Sequence, residues 1–412
     1  MNKNGIIKFA WRRNLIYPIQ LLIWALLRKI DTIILDKLFN FSKNLLFTFL
    51  MFFAEFIAGI ILFLYQRSFL DKKKTKEKSK SNLIFKENKI KSPDSIIKIL
   101  FLIFVAGYSD FVEFILSTNY LPKFPDSSGS LDIRLGGILT IFVALFFYYL
   151  LKFPLFRHQI FAIMIIGICL IIIITSEYFF QDINVFISYG DFTLKLMIII
   201  IEQFFHSLLD SIEKYVVEYD SLNYFEVLAF EGLFGVIITL IYSFSEDFYQ
   251  KQLIKDISKI YSENTKGMFY FFIFMILIYT VLCGGKNAFR VVTNKVYSPM
   301  TKSLTDYFWN PLFLIINYFE GDFVSGGKQN LFYFLMNLIL SIIIDLSGCV
   351  FNEIVILYFC DLDKDTHRQV SIRSSLNYSP ELSQLIARRD DSQEVLSEDL
   401  NSNETDLSSL NA

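Results

Sequence analysis

The chain predicts an all-α integral membrane protein of ten transmembrane helices, and three observations lead there. Hydrophobic residues make up 54% of the 412, with a mean hydropathy of +0.45, which exceeds what a soluble domain needs to build a core. This material is segregated into runs of roughly 17 to 23 residues between about 44 and 360, the length at which a helix crosses a hydrocarbon layer of about 30 Å. The segments between the runs also alternate in charge. A bilayer satisfies no backbone polar group, so each crossing must be a helix, and the alternating pattern of barrel strands is absent. The 46 Phe residues fit a coding bias toward A and T and are not read as an aromatic site.

The first span is read over 14–36, although "LLRKIDTIILDK" (26–37) places Arg28, Lys29 and Asp31 inside it. Loop charge argues for it. Short cytosolic loops retain Lys and Arg, and the loop 67–95, "RSFLDKKKTKEKSKSNLIFKENKIKSPDS", is the most basic stretch of the chain. Counting outward from it, segments 152–157, 211–224, 286–299 and the tail after 360 are cytosolic, while the acidic segment 177–189 is lumenal. Segment 244–267 fits least well, being lumenal by count yet carrying Lys251, Lys255, Lys259 and Lys266. The basic start "MNKNGIIKFAWRRN" (1–14) then reaches the cytosol only if 14–36 crosses, with its charges turned into the bundle or snorkelling. The alternative is an interfacial helix with those charges among headgroups.

The remaining spans are read at 44–66, 96–117, 134–151, 158–176, 190–210, 225–243, 268–285, 300–318 and 331–355. Residues 1–13 form a cytosolic N-terminus, 14–360 the ten-helix domain, and 361–412 a polar, Ser-rich, acidic tail that cannot build a core and is expected to be disordered. The first hydrophobic stretch runs into charge without a small-residue cleavage site, so no cleaved signal is read there. Asn40-Phe41-Ser42 is a glycosylation sequon on the lumenal side of this count. Cys169, Cys283, Cys349 and Cys360 fall in or beside spans and offer neither a disulfide framework nor metal-ligand spacing.

Acids inside the spans are the candidate functional groups, because a charge in lipid is costly and functional by default. Glu55, Asp110, Glu113 and Glu202 lie in the second, third and sixth spans, and Asp306 and Asp345 in later ones. Lys302 stands one helical turn from Asp306, so a structural pair is the competing reading there. "EQFFHSLLD" sets Glu202, His206 and Asp210 four residues apart on one stripe, residue types that could relay protons or hold a divalent ion. The favoured reading is plainer: the helix runs toward the cytosol there, and His206 and Asp210 approach the headgroups. His158 and His367 sit at helix ends or beyond. No Gly-rich phosphate loop or nucleophile elbow occurs, and the basic loop 67–95 lacks the aromatic interleaving of a nucleic-acid surface. That loop reads as a topogenic linker, with attraction to anionic lipid as a second role.

Several stretches resemble the drug/metabolite transporter superfamily, and within it solute carrier family 35, subfamily F. "IEKYVVEYDSLNYFEVLAFEGLFGVIITL" (212–240) is similar to that branch's Glu-Lys, short polar turn and Glu-Gly-Leu-Phe-Gly, here Glu213, Lys214 and Glu231 to Gly235. "FFAEFIAG" (52–59) resembles its Gly-Glu-Phe around Glu55, with Ala54 in place of the Gly. "GYSDFVEFIL" (107–116) puts the family's Asp at Asp110, and "RLGGILTIF" (134–142) is similar to its Arg-Gly start, with Leu135 interposed. Ile30-Asp31-Thr32 stands where the family has Asn-Thr, so Asp31 replaces the Asn. The Lys-Asn motifs of nucleotide-sugar carriers are not evident.

The resemblance implies two inverted five-helix halves, a solute site between them near the midplane, and alternating access. It implies an EamA-like secondary transporter of an organic solute, a metabolite or nucleotide-sugar-like molecule, in an internal membrane such as the Golgi, ER or lysosome. On this reading Asp31, Glu55, Asp110, Glu113, Glu202, Glu231 and Asp306 are the solute-binding candidates, without metal, cofactor or catalytic residues. The partners expected are a small-molecule solute and the lipid bilayer, with a homodimer left open. Two other classes remain: an integral membrane enzyme using the acidic stripe with His206, and a non-transporting interaction protein with the same fold.

Overall fold

The computed structural model describes residues 7–9, 16–39, 45–77, 93–121, 124, 131–180, 189–219, 222–245, 252–263, 266–320, 324–325, 328–357 and 362. Among them helices dominate. They are α1 (Ile16–Phe39), α2 (Leu45–Glu77), α3 (Pro93–Ile115, continued by one π-helical turn, Leu116–Tyr120), α4 (Leu131–Arg134), α5 (Gly137–Tyr149), α6 (Arg157–Phe180), α7 (Tyr189–Tyr219), α8 (Tyr224–Ser245), α9 (Gln252–Glu263), α10 (Lys266–Val296), α11 (Pro299–Tyr307), α12 (Asn310–Glu320) and α13 (Leu331–Phe351). Seven of them, α2, α3, α6, α7, α8, α10 and α13, are long and apolar enough to cross a membrane. Each coincides with one span read from the sequence. The chain is an all-α multi-pass membrane protein. The sequon at Asn40, His367, Cys360 and, but for Leu362, the tail 361–412 lie outside the described residues.

The other three expected spans take different forms. The span 134–151 is α5, apolar but only 13 residues long, with α4 before it. Leu135-Gly136 separates the two, where glycine weakens a continuous helix. The span 300–318 is α11 and α12 with a break at Phe308-Trp309. Pro311 explains it: its missing N–H and its ring stop the helical ladder at Tyr307, four residues earlier, while its fixed φ suits the first turn of α12. The span 14–36 is one helix of 24 residues, set apart from those seven by its charges at Arg28, Lys29, Asp31, Asp36 and Lys37. It nevertheless exposes an apolar stripe of Ile16, Ile19, Ile23, Leu27, Ile30 and Ile34, with Lys29 and Lys37 exposed on another side, while Asp31 and Leu35 are buried beside the stripe. This is the pattern of a helix with a lipid side and a bundle side.

Two expected cytosolic loops are mostly helix. α7 continues through 211–219 and α10 through 286–296, carrying Glu213 and Arg290 into the interior. The segment 177–189 likewise starts as α6, which holds Glu177 buried. Charge density reads as loop in these places because the sequence does not show which charges find partners inside a bundle.

α2 lies along α8, α1 on α10, α3 on α7 and α8, α10 on α2, α6 on α13, and α5 on α6 and α7. The α2–α8 approach depends on glycine. A Cβ at Gly232 would collide with the Phe56 amide nitrogen, and one at Gly59 would stand 2.5 Å from that of Ala229. Small residues let membrane helices meet backbone to backbone in this way. Polarity is inverted relative to a soluble protein: Phe179, Leu277, Ile171 and Val281 are exposed, while Glu55, Asp210, Lys302 and Arg134 are buried. Beyond the bundle, β1 (Ile7–Phe9) pairs antiparallel with β4 (Val355–Leu357), Ile7 opposite Leu357 and Phe9 opposite Val355. Glu353, in the left-handed region at φ 58°, turns the chain from α13 into β4. A second, two-residue pair joins β2 (Val324–Ser325) to β3 (Lys328–Gln329).

Candidate functional site

α7 supplies the backbone of the site. Glu202, His206, Asp210 and Glu213 recur at three- and four-residue spacing, so they share one face. α3 packs on α7 and presents Asp110 and Glu113, three residues apart. Glu55 comes from α2, Glu231 from α8, Arg290 and Asn294 from α10, and Lys302 and Asp306 from α11. The glycine contacts between α2 and α8 bring Glu55 and Glu231 to the same depth in the bundle.

These side chains form two linked groups. In the first, Arg290 is the hub: its Nη2 lies 2.9 Å from Glu213 Oε1, 3.3 Å from Glu231 Oε2 and 3.5 Å from Glu55 Oε1, and its Nη1 lies 3.4 Å from Asp110 Oδ2. All five are buried. Asn294 joins this group to the second by donating from Nδ2 to Glu213 and, at 3.3 Å, to Asp210 Oδ1.

In the second group Lys302 is the hub, with Nζ 2.8 Å from Asp210 Oδ2 and 2.7 Å from Asp306 Oδ2 and hydrogen-bonded to His206 Nε2. His206 Nδ1 lies 3.2 Å from Glu113 Oε1, and its Nε2 lies 3.3 Å from Asp306 Oδ2. The two contacts at Nε2 require different protonation states. A neutral ring donates from Nδ1 to Glu113 and accepts from Lys302, whereas a protonated ring donates to Glu113 and Asp306 and repels Lys302. Donor atoms of His206, Asp210 and Asp306 all lie within 4.8 Å of one another, a set suited to a divalent ion. The Lys302 ammonium already stands where such an ion would bind.

A third group is separate. Arg134 Nη1 donates to Glu177 Oε2 at 2.7 Å, to Tyr333 OH at 2.6 Å and to Asn337 Oδ1 at 3.3 Å, and Tyr333 OH donates to Glu177. It ties α4, α6 and α13 together. The interrupted helices also meet at their breaks: Asn310 Nδ2 donates at 2.6 Å to the carbonyl of Ile133, and a Cβ at Gly136 would lie 2.9 Å from Tyr307 Cβ. The side-chain amide thus adds to the longer 3.4 Å bond that this carbonyl accepts from the Gly136 N–H where α4 ends.

No protein-family model matches this chain, and comparison with curated proteins finds no relative. The geometry therefore stands on its own residues. Of the seven candidates read from the sequence, Glu55, Asp110 and Glu231 gather on Arg290, and Glu113 and Asp306 gather on His206. Glu202 is buried one turn before His206, with Oε2 meeting no donor. Asp31 belongs to neither group: it is buried on α1 with Oδ2 lacking a hydrogen-bond partner. The headgroup reading of His206 and Asp210 is corrected, since the Asp210 side chain is fully buried and paired with Lys302. The Lys302–Asp306 pair anticipated from their spacing is present. His158, read as a helix-end residue, is buried with Nε2 3.4 Å from Glu353 Oε1.

Arg290 and Asn294 are the members with no place in the sequence reading, whereas Lys302 enters there only as a structural partner of Asp306, Asp210 only as a polar residue near the headgroups, and Glu213 only within the family resemblance. Glu213 stands inside the block that carries the family resemblance, and Asp210 and His206 stand on one stripe. Arg290 gives no such signal, because its surroundings, "GGKNAFRVVTNK" (284–295), read as a basic loop.

Proposed function

We propose that this chain is a secondary transporter of an organic solute, a metabolite or nucleotide-sugar-like molecule, working by alternating access in an internal membrane. One observation carries the reading: ionisable residues from α2, α3, α7, α8, α10 and α11 converge in the middle of a bundle sheathed in apolar side chains. Such residues are expensive in a membrane and mark solute and ion paths.

The helix packing agrees with ten crossings in two inverted halves. If α1, α2, α3, α4–α5 and α6 correspond in order to α7, α8, α10, α11–α12 and α13, a two-fold axis exchanges the α1–α10 contact with α7–α3, and α3–α8 with α10–α2. It maps α2–α8 and α6–α13 onto themselves. All of these contacts are present. The two interrupted helices fall in corresponding positions and cross at their breaks, and broken helices at matched positions point to the binding site in repeat-built transporters. The β1–β4 pair sets the segment before α1 beside the one after α13, which supports an even number of crossings where the seven long helices alone give an odd one. Counting α1, α4–α5 and α11–α12 restores parity. The resemblance to solute carrier family 35, subfamily F, and the basic segment 67–95 favour cytosolic ends and an endomembrane.

Purified protein in liposomes, assayed for counterflow of a panel of labelled metabolites and nucleotide sugars, is expected to give saturable exchange. Chemical conversion of a panel member without exchange would instead favour the enzyme reading, and neither exchange nor conversion the interaction protein.

A further inference from the structure

Arg290 is surrounded by more negative charge than it can offset. Glu55, Asp110, Glu213 and Glu231 reach it from four different helices, and a single guanidinium balances one of them. The neighbouring cations are largely committed. Lys302 serves Asp210 and Asp306, and Lys214 lies 2.5 Å from Glu218 and donates to the Lys295 carbonyl. Lys286 faces Glu55 and Asp110 from α10. Even counting Lys286 beside Arg290, two cations face four carboxylates, and Arg28 of α1 acts instead on Glu113, Tyr279 and Cys283. Isolated ionised carboxylates in a low-dielectric interior cost far more than neutral carboxyls, so the surplus is met by protons.

A second observation points the same way. Glu55 is fully buried and neither of its carboxylate oxygens accepts a hydrogen bond, and Glu231 Oε1 also meets no donor. Oxygens in this state suit neutral carboxyl groups. A metal ion is the less suitable counter-charge, because a guanidinium fills the point on which the carboxylates converge, and an ammonium fills the corresponding point beside His206.

The assembly is also open at one place. The side chains of Glu113, His206 and Asp306 are 19%, 15% and 17% exposed, whereas those around Arg290 are 0–5%. His206 therefore stands at the more exposed end of the assembly, one residue pair from Asp110 through Glu113 and linked to Glu213 by contacts through Lys302, Asp210 and Asn294. It is faced by Asp110 and Glu113 from α3, Glu202 and Asp210 from its own helix, and Lys302 and Asp306 from α11, while Lys286 and Arg290 of α10 act on Asp110. Arg28 of α1 acts on Glu113, and Asp132 of α4 on Glu202. Its two partners at Nε2, Lys302 and Asp306, exchange roles when the ring gains or loses a proton, and both sit on α11.

We propose that the carboxyls around Arg290 form a proton-binding site loaded through His206. Resting on the transport reading above, the bound protons are then the coupling ions of solute movement. Infrared spectroscopy of the purified protein tests the site without a solute, because the C=O stretch of a protonated carboxyl is separable from that of a carboxylate and shifts in heavy water. The full chain at neutral pH is expected to show this band, with part of it lost in Glu55→Gln and in Glu231→Gln. Absence of the band in the unaltered chain, or an unchanged band in both variants, would overturn the site. His206→Phe should keep the band and lose its rapid shift in heavy water; an unaltered rate would overturn the route. In liposomes, solute exchange that ignores an imposed pH gradient would remove the coupling role. Failure of every solute to exchange would sink the transport reading alone, leaving the spectrum to decide the site.

Discussion

At Arg290 and its partners, removal of the cation and removal of an acid should have opposite consequences. Arg290→Leu leaves four buried carboxylates without their hub, and breaking a buried ion pair from one side costs about 3–5 kcal/mol. Thermal unfolding in detergent is therefore expected to show a large loss of stability. Glu55→Gln removes an acid from an already acidic group and should leave the melting temperature unchanged or raise it. Equal losses in the two variants would mean that Glu55 is an ionised partner of Arg290. A similar one-sided break is available at Glu177→Leu, which strands the Arg134 guanidinium; a loss of about 3–5 kcal/mol is expected there too, read by the same unfolding measurement. The legibility of these residues is uneven. An acid inside an apolar run is conspicuous, and Glu55, Asp110 and Glu113 stand out in that way. A cation near the end of such a run looks like a loop, and whether Arg290 ends in headgroups or meets Glu213 depends on another helix far away in sequence.

Among the elements, the α2–α8 crossing and the paired breaks are the features most open to test. Gly232→Ala places a methyl group against the Phe56 backbone, which cannot rotate aside as a side chain tip would. Overpacking of this kind costs about 1–3 kcal/mol and should separate Glu231 from Glu55. Gly167 on α6 has nothing within 4 Å, so Gly167→Ala should be neutral or gain up to about 1 kcal/mol from helix propensity. Matched unfolding curves for the two variants check both expectations. Long helices with uniform apolar content are legible from the sequence because length and hydropathy suffice for them. The breaks at Leu135-Gly136 and Phe308-Trp309 are not, although Gly136 and Pro311 are in plain view. Glycine and proline are common in membrane helices, and a break persists only where groups such as Asn310 satisfy the freed backbone.

For the whole molecule, the pairing of β1 with β4 gives a prediction that needs no assignment of individual spans. Single cysteines introduced at Lys8 and at Ile356, which face each other across the pair, should be labelled by a membrane-impermeant reagent from the same side of sealed vesicles. Labelling from opposite faces would leave an odd number of crossings and rule out ten. Loop charge alone suggests this parity, yet it does not show that α1 turns an apolar stripe outward while burying Asp31, because that depends on which face meets the rest of the bundle. The packing of α1 also bears on how the protein is made. Its principal neighbour is α10, and at about 5–20 residues per second the roughly 250 residues between Ile16 and Lys266 take tens of seconds to synthesise. Throughout that interval α1, bearing Arg28 and the buried Asp31, lacks its principal neighbour. A ribosome-bound nascent chain is therefore expected to hold α1 in the insertion machinery, or with a membrane chaperone, until α10 emerges, so that α1 reaches its final seat late.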